Sequence, residues 1–199
     1  MNLRDVVNNL RQALTKRRQK SDIENVVPII VPRNYFEQGN WPGPYMNLRS
    51  EFLALTWTIL FPDDVMVYVN QDHVAKWEHE KINWKEKALQ NLLRISHNQL
   101  WTDEKRDSNG QLLWMVMMHS DGLGSSRLLL NKEIRKVIGE KYRVGLPDRS
   151  CAFVIPEYIE IDNLIEVTSM VQNIFEKATI PMLSDLLEPG DLESGLQQT

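Results

Sequence analysis

Cysteine, long apolar runs and an excess of either charge are the features that this sequence has least of. Its single cysteine, Cys151, excludes an intramolecular disulfide and a zinc site built from several thiolates. The longest apolar run, around Phe52 to Phe61, is about half the ~20 residues that a membrane-spanning helix needs. The N-terminal residues have scattered charges and lack the continuous apolar stretch of a secretory signal. We therefore expect a cytoplasmic protein without a membrane span.

The motifs of common cofactor and metal sites are also missing. The glycines of the stretch DGLG (121–124) fit neither a Walker loop nor a dinucleotide fingerprint, and no GxSxG elbow occurs. His73 and His79 lack the four-residue spacing of a helical zinc site. A net charge of -4 gives no global attraction to nucleic acid. We predict no cofactor, no metal and no nucleic-acid partner, and whether the protein is an enzyme stays open.

Hydrophobic periodicity predicts an α+β fold with a mainly antiparallel β-sheet of about four to six strands, flanked by helices. A hairpin is expected over Phe52 to Val69, around the turn residues Pro62-Asp63-Asp64. The nearly unbroken apolar run Leu112 to Met118 predicts a strand buried on both faces and central in the sheet. Pro147-Asp148 should turn a strand around Val144 into a strand over Ala152 to Ile155. The flanking helices are expected at 83–96, 131–141 and 162–177.

We predict three parts of the chain. Residues 1–20 form an N-terminal amphipathic helix, residues 21–188 the α+β domain, and residues 189–199 a flexible tail. The amphipathic pattern itself covers 3–18 and ends in a basic run. That helix could dock on the core or on a partner subunit, or serve as an arm for a membrane surface or nucleic acid.

Finer features of the domain are also predicted. Ile23 to Pro32 should be an edge strand or extended connector, since Pro28 interrupts it. The aromatic loop 33–47 should cover apolar surface or line a groove. Asp103 to Gly110 is expected to be a charged loop, and Met182 to Leu187 a short helix. On helix 83–96 the polar side chains, Asn91 among them, are expected outside; helix 162–177 is expected to be capped by Asp162 and to bury a stripe that includes Ile165 and Gln172.

The sharpest polar cluster follows the buried strand and opens a helix. Strand ends of helix-covered sheets often bind ligands, and a helix N-terminus with an arginine suits an anion. The alternative is structural: the aspartate and serines cap backbone N–H groups, and the arginine pairs with the aspartate. The cluster consists of His119, Asp121, Ser125, Ser126 and Arg127.

A second polar group, Asp148, Arg149 and Ser150, occupies the predicted turn after Pro147. If it folds beside Asp121 and Arg127, two arginines and two aspartates meet, either as an anion site or as a structural ion-pair network. The neighbouring Cys151 lies in an apolar strand, which predicts an inert buried thiol.

The stretches DGLGSSRLLL (121–130) and GEKYRVGLPDRSCAFVIP (139–156) resemble the paired signature of the YtpQ-like bacterial proteins, domain of unknown function 1444. The likeness covers roughly residues 48–188. Gly124-Ser125 stands where that family usually has Ala-Ser, and Ser150 where it often has Asp. Because the family has no established activity, the resemblance implies a fold and a site location only. The matched positions are Asp121, Gly122, Ser126, Arg127, Pro147 and Arg149.

Our leading hypothesis for function is a non-enzymatic binding or regulatory module with its surface around Asp121, Arg127 and Arg149, acting on an unknown protein partner. The alternative is an enzyme or ligand-binding protein that uses the same cluster on an anionic small molecule. A third possibility is a homodimer built on the N-terminal helix. The first predicts exposed aromatic residues from 33–47, and the second predicts both arginines in one concave pocket.

Overall fold

Two antiparallel sheets make up the described part of the chain, which is residues 22–37, 39, 41–61 and 65–193 of a computed structural model. In the first sheet, Val26–Pro32 (β1) forms one edge and pairs with Leu53–Leu60 (β3). Tyr45–Asn47 (β2) and Met66–Tyr68 (β4) both pair with the other side of β3. The α+β class and the edge position of β1 are therefore confirmed, with two sheets in place of the single sheet expected.

The second sheet has five strands in the order β5-β6-β8-β7-β9. These are Asp103–Arg106 (β5), Leu112–Met118 (β6), Tyr142–Asp148 (β7), Cys151–Pro156 (β8) and Leu186–Leu187 (β9). The apolar strand β6 is interior to the sheet, as predicted. The helices are Asn34–Glu37 (α1), Gln71–His79 (α2), Trp84–Ser96 (α3), Asn131–Ile138 (α4) and Ile161–Lys177 (α5), with 3-10 helices at Ser125–Leu129 and Pro189–Leu192.

The second sheet is buried on both faces. Along β8, Ala152 and Val154 join the main core, which also takes in the first sheet and α3, whereas Phe153 and Ile155 face α5. Successive strand residues point to opposite faces, so a strand covered on both sides must be apolar throughout. This explains the unbroken apolar sequence of β8 and places α3 and α5 on opposite sides of the second sheet.

Local signals predicted several elements well. The β3–β4 hairpin and helix α3 are confirmed, although the turn residues 62–64 lie outside the described residues. Asn70 caps α2: its Oδ1 accepts a hydrogen bond from His73 N at 3.0 Å, and His73 Nδ1 accepts one from Asn70 N at 3.3 Å. His73 therefore has a structural role at a helix terminus.

Three segments differ from their predictions. The loop expected over Asp103 to Gly110 begins as strand β5, because its backbone pairs with β6. Its charged side chains lie along the edge of the sheet, where they disfavour pairing with another chain. The helix expected at 182–187 is replaced by β9, which pairs with β7. The tail expected from residue 189 begins with the 3-10 helix Pro189–Leu192, because Leu192 is buried in the core. Residues 194–199 and the whole N-terminal segment 1–21 lie outside the described residues.

Helix details were also wrong where tertiary contacts decide them. Asn91 is buried, and its amide donates to the carbonyl oxygens of Ile23 at 3.0 Å and Val26 at 2.9 Å. The side chain thus satisfies backbone acceptors just before and at the start of β1. Helix α5 rests on Val167 and Val171, which leaves Ile165 57% exposed and Gln172 outside. Its cap position is Glu160 instead of Asp162. Helix α4 ends at Ile138 instead of 141, because the next residue, Gly139, has φ +89°.

Candidate functional site

The two serines of the polar cluster join the two sheets. Ser125 donates to the carbonyl oxygen of Arg149 in the second sheet, from its N at 3.1 Å and from its Oγ at 2.7 Å. Ser126 Oγ accepts a hydrogen bond from Ile30 N of β1 at 3.3 Å. Both serines are fully buried, and no side chain caps the 3-10 helix. The predicted capping role is therefore wrong, because these hydroxyls satisfy backbone groups of distant strands.

Arg127 and Asp121 form a bidentate ion pair in which the arginine is buried and the aspartate is partly exposed. Arg127 Nη1 and Nη2 donate to Asp121 Oδ1 and Oδ2 at 3.0 and 2.6 Å, and only 2% of the arginine is exposed. Burial raises the pKa of Asp121, but hydrogen bonds from Arg127 and from the Leu123 amide outweigh burial and hold that pKa below its ordinary value. The structural pairing of the two residues is confirmed. A guanidinium so enclosed is not available to a ligand.

Close packing explains the glycines of this stretch. A Cβ on Gly124 would overlap the carbonyl oxygens of Ser150 and Met117, so the end of β6 and the β7–β8 hairpin approach too closely for a side chain. Gly122 has φ +69°, a conformation that glycine adopts without steric cost. The stretch DGLGSSR (121–127), which we name the elbow, is therefore shaped by backbone packing.

Asp148 organises the hairpin between β7 and β8. Its carboxylate accepts hydrogen bonds from Ser150 N at 2.8 Å, from Ser150 Oγ, and from Ile180 N at 3.2 Å. Asp148 is thus the last residue of β7, and the turn is Arg149-Ser150. No ion pair joins Asp148 to either arginine within the described ranges. The turn does fold beside the elbow residues, but Asp148 joins no ion-pair network with the two arginines, since its carboxylate binds the backbone N–H groups of Ser150 and Ile180 and the Ser150 hydroxyl.

Arg149 extends from this turn toward the first sheet. Its guanidinium lies close enough to Tyr68 of β4 to affect the pKa of that tyrosine, and its Nη2 comes within 3.5 Å of where a Cβ would lie on Gly122. Burial raises the pKa of the Tyr68 hydroxyl, and the positive charge of Arg149 partly offsets that rise. Arg149 is partly exposed and has no ion-pair partner in the part of the chain that the structure describes. It is a cation placed at the junction of the two sheets.

A row of aromatic rings leads along the first sheet to Arg149. Tyr45 stacks on Phe36 with ring centroids 4.3 Å apart, Phe36 meets Trp41 edge-on at 4.8 Å, and Trp41 meets Tyr68 at 4.7 Å. Tyr45 is 50% exposed, and the other three rings are partly exposed. We name Tyr45, Phe36, Trp41 and Tyr68 the aromatic row. Loop 33–47 thus covers apolar surface and also presents rings to solvent.

Sequence reasoning missed Tyr68. In the sequence it is one residue of an alternating strand, and no local signal distinguishes a strand tyrosine that ends a row of rings. Strand β4 pairs only with β3 among the described residues, and Val65 and Val67 beside Tyr68 are 51% and 43% exposed. The aromatic row therefore ends next to an open sheet edge.

The remaining predicted residues do not join this surface. His119 lies beside the ion pair, with Nε2 3.3 Å from Leu100 O, and burial and the charge of Arg127 lower its pKa. Cys151 is buried as predicted, and burial raises the pKa of its thiol to about 12. A cavity of about 380 Å³ is lined in part by Cys151, and neither Arg127 nor Arg149 lines it. Within the described residues there is no metal-binding group of acidic, histidine or cysteine side chains, and no helix long and apolar enough to cross a bilayer.

Comparisons with family models, curated proteins and solved structures find no match for this chain. The resemblance to the YtpQ-like family therefore stays a prediction.

Proposed function

We propose that this protein is a non-enzymatic binding module, which holds a peptide segment of a partner protein along the aromatic row and Arg149. The position of Arg149 beside Tyr68 carries the proposal, because it places a cation at the end of a row of rings on one surface. Aromatic and arginine side chains are the residues enriched at protein interfaces.

The aromatic row supplies the apolar contact. Phe36, Trp41, Tyr45 and Tyr68 are held in fixed orientations by their mutual ring contacts, so little conformational entropy is lost when a partner covers them. Tyr45 offers the most accessible ring. An apolar or aromatic side chain of the peptide would rest on Tyr45 and Phe36.

Arg149 supplies the selectivity. A guanidinium without a carboxylate partner among the described residues favours an acidic group, because a charge-assisted hydrogen bond is stronger than a neutral one. The open edge of β4 lies next to it and can extend the contact through backbone hydrogen bonds. The peptide class is therefore an extended segment with an apolar residue followed by an acidic one.

A random-peptide display library, selected against the wild-type protein, tests this directly. Selected peptides should contain an acidic residue, and their affinity should fall about tenfold or more in Tyr45→Ala and in Arg149→Gln. Tyr158→Ala is the matched control, since Tyr158 is exposed to a similar degree, 53% against 50% for Tyr45, and lies outside the aromatic row. Peptides that bind both tyrosine variants equally well would contradict the proposal.

A second candidate is an anionic small molecule or enzyme substrate bound at Arg149. The observation in its favour is the same arginine without an ion-pair partner in the described ranges. Inorganic phosphate and citrate distinguish it: either should raise the melting temperature of the wild type and not of Arg149→Gln. The elbow residues Asp121 and Arg127 take no direct part in either function.

The cytoplasmic location and the membership of the bacterial YtpQ-like family belong to the same proposal. A single buried thiol is what a protein of a reducing compartment is expected to have.

A further inference from the structure

Apolar side chains are exposed at the beginning of helix α5 and in the turn just before it. Tyr158, Ile161 and Ile165 are 53%, 67% and 57% exposed. Ile161 and Ile165 are one helical turn apart and so share a face, which we name the α5 face. The helix is held to the second sheet by Val167 and Val171 on another face. Exposed isoleucines at such spacing are typical of a surface that another helix covers.

The charged side chains that α5 and the turn before it contribute near the α5 face are acidic. Between Arg149 and Lys177 the sequence has no lysine or arginine, whereas five acidic residues occur. Glu157 pairs with Lys141 and Glu166 with Lys105, but Glu160 and Asp162 are exposed and have no ion pair within the described ranges. A ligand for this face should therefore be both apolar and basic.

The first 21 residues have that chemistry. They contain six basic residues and one acidic residue, a net charge of +5, which leaves -9 for the rest of the chain. Their apolar residues recur at the three- and four-residue spacing of an amphipathic helix, with basic residues at the C-terminal end of the pattern. The apolar positions are Leu3, Val6, Val7, Leu10, Ala13 and Leu14.

The position of Asp22 indicates which copy of the chain supplies this segment. The described chain begins on the α3 side, where Asn91 binds the carbonyl oxygen of Ile23, whereas α5 lies on the opposite face of the second sheet. Asp22 follows Arg18 by four residue steps, which span at most about 14 Å. Crossing two layers spaced about 10 Å apart requires about 20 Å.

We therefore propose that residues 3–18 of one copy bind as an amphipathic helix to the α5 face of a second copy. Their apolar side chains cover Ile161 and Ile165, and their basic side chains face Glu160 and Asp162. Reciprocal exchange of the segment gives a two-fold symmetric dimer. This inference is independent of the peptide surface on the first sheet.

Paramagnetic broadening between two differently labelled full-length chains tests the exchange. One chain carries a spin label on Asn8→Cys, on the polar side of the pattern, and Cys151 stays unlabelled because it is buried with a raised pKa. The other chain is wild type and enriched in nitrogen-15. In a mixture, amide signals around Ile161 and Ile165 should broaden.

Variants of the nitrogen-15 chain make the test specific. Ile165→Glu should remove the broadening and raise the dimer dissociation constant about tenfold or more in sedimentation equilibrium. Met170→Glu, a 37% exposed position on another face of α5, should change neither. Raising salt from about 0.05 M to about 0.5 M should weaken the dimer, because exposed charge pairs are screened.

Three results would overturn the proposal: no broadening in the mixture, broadening that Ile165→Glu leaves intact, or broadening only when both labels are in the same chain. The last result would mean that the segment binds its own α5. Broadening at other amides of the chain is a fourth contrary result, because it would place the segment at a different site.

Discussion

Two arginines have opposite environments: Arg127 in the 3-10 helix Ser125–Leu129, and Arg149 in the turn between β7 and β8. Arg127 is 2% exposed and is held by both oxygens of Asp121 in the elbow. Arg149 is partly exposed, lies beside Tyr68 and has no ion-pair partner among the described residues. The difference shows which arginine is available to a partner: a buried guanidinium whose two Nη groups already bind a carboxylate stabilises the fold, whereas a partly exposed one beside a row of rings can bind a partner.

The largest expected difference is between alanine substitutions of these two arginines. Arg127→Ala leaves the Asp121 carboxylate without its partner and opens a cavity, so the free energy of unfolding should fall by about 3–5 kcal/mol. Arg149→Ala removes a partly exposed side chain and should cost about 1 kcal/mol or less. Urea denaturation of both variants measures the difference. Equal losses would contradict the division between elbow and surface.

The packing of the elbow gives the next largest effect. Gly124→Ala forces a Cβ against two backbone carbonyl oxygens and should destabilise the protein by about 1–3 kcal/mol or more. Gly190→Ala is the control: a Cβ there meets only Arg49 Nη1, at an ordinary 3.9 Å. A melting temperature of Gly124→Ala equal to that of the control would show that the elbow can shift, contrary to our interpretation of the glycines.

Acidification should lower the free energy of unfolding in two steps, one from His119 and one from Asp121 of the elbow. The pKa of His119 is lowered in the folded protein, so its contribution is present above the ordinary value of about 6.5 and is lost as pH falls. The pKa of Asp121 is also lowered, so its contribution is present above about 3.9 and is lost at lower pH. Unfolding free energies at several pH values should therefore decrease toward acid. The decrease between pH 7 and 5 should be smaller in His119→Gln than in the wild type, and an equal decrease would exclude His119 as the cause.

The smallest expected effect concerns the reactivity of Cys151, the first residue of β8. Because its thiol is 1% exposed and its pKa is raised to about 12, it should not react with a disulfide reagent at neutral pH in the folded state. Full reaction is expected in denaturant. A rapid reaction of the native protein would mean that the hairpin opens, and would contradict the prediction of an inert buried thiol.

Local sequence signals predicted the elements whose cause is local. The run of apolar residues in β6 and the turn chemistry between β3 and β4 both depend on neighbours along the chain. Strands β5 and β9 were missed because charged or short segments become strands only by pairing with a distant strand. Asn91 was wrongly predicted to be exposed because its hydrogen-bond partners, the carbonyl groups of Ile23 and Val26, are also distant in the sequence.

The sequence by itself determined the α+β class, the buried strands and the pairing of Asp121 with Arg127, because periodicity and short-range charge pairs are written in neighbouring residues. Only the tertiary structure decided that there are two sheets, that Ser125 and Ser126 join them, and that Arg149 lies beside Tyr68 at the end of a row of rings. Those contacts connect residues far apart in the chain, and their formation depends on how whole layers pack rather than on any local pattern.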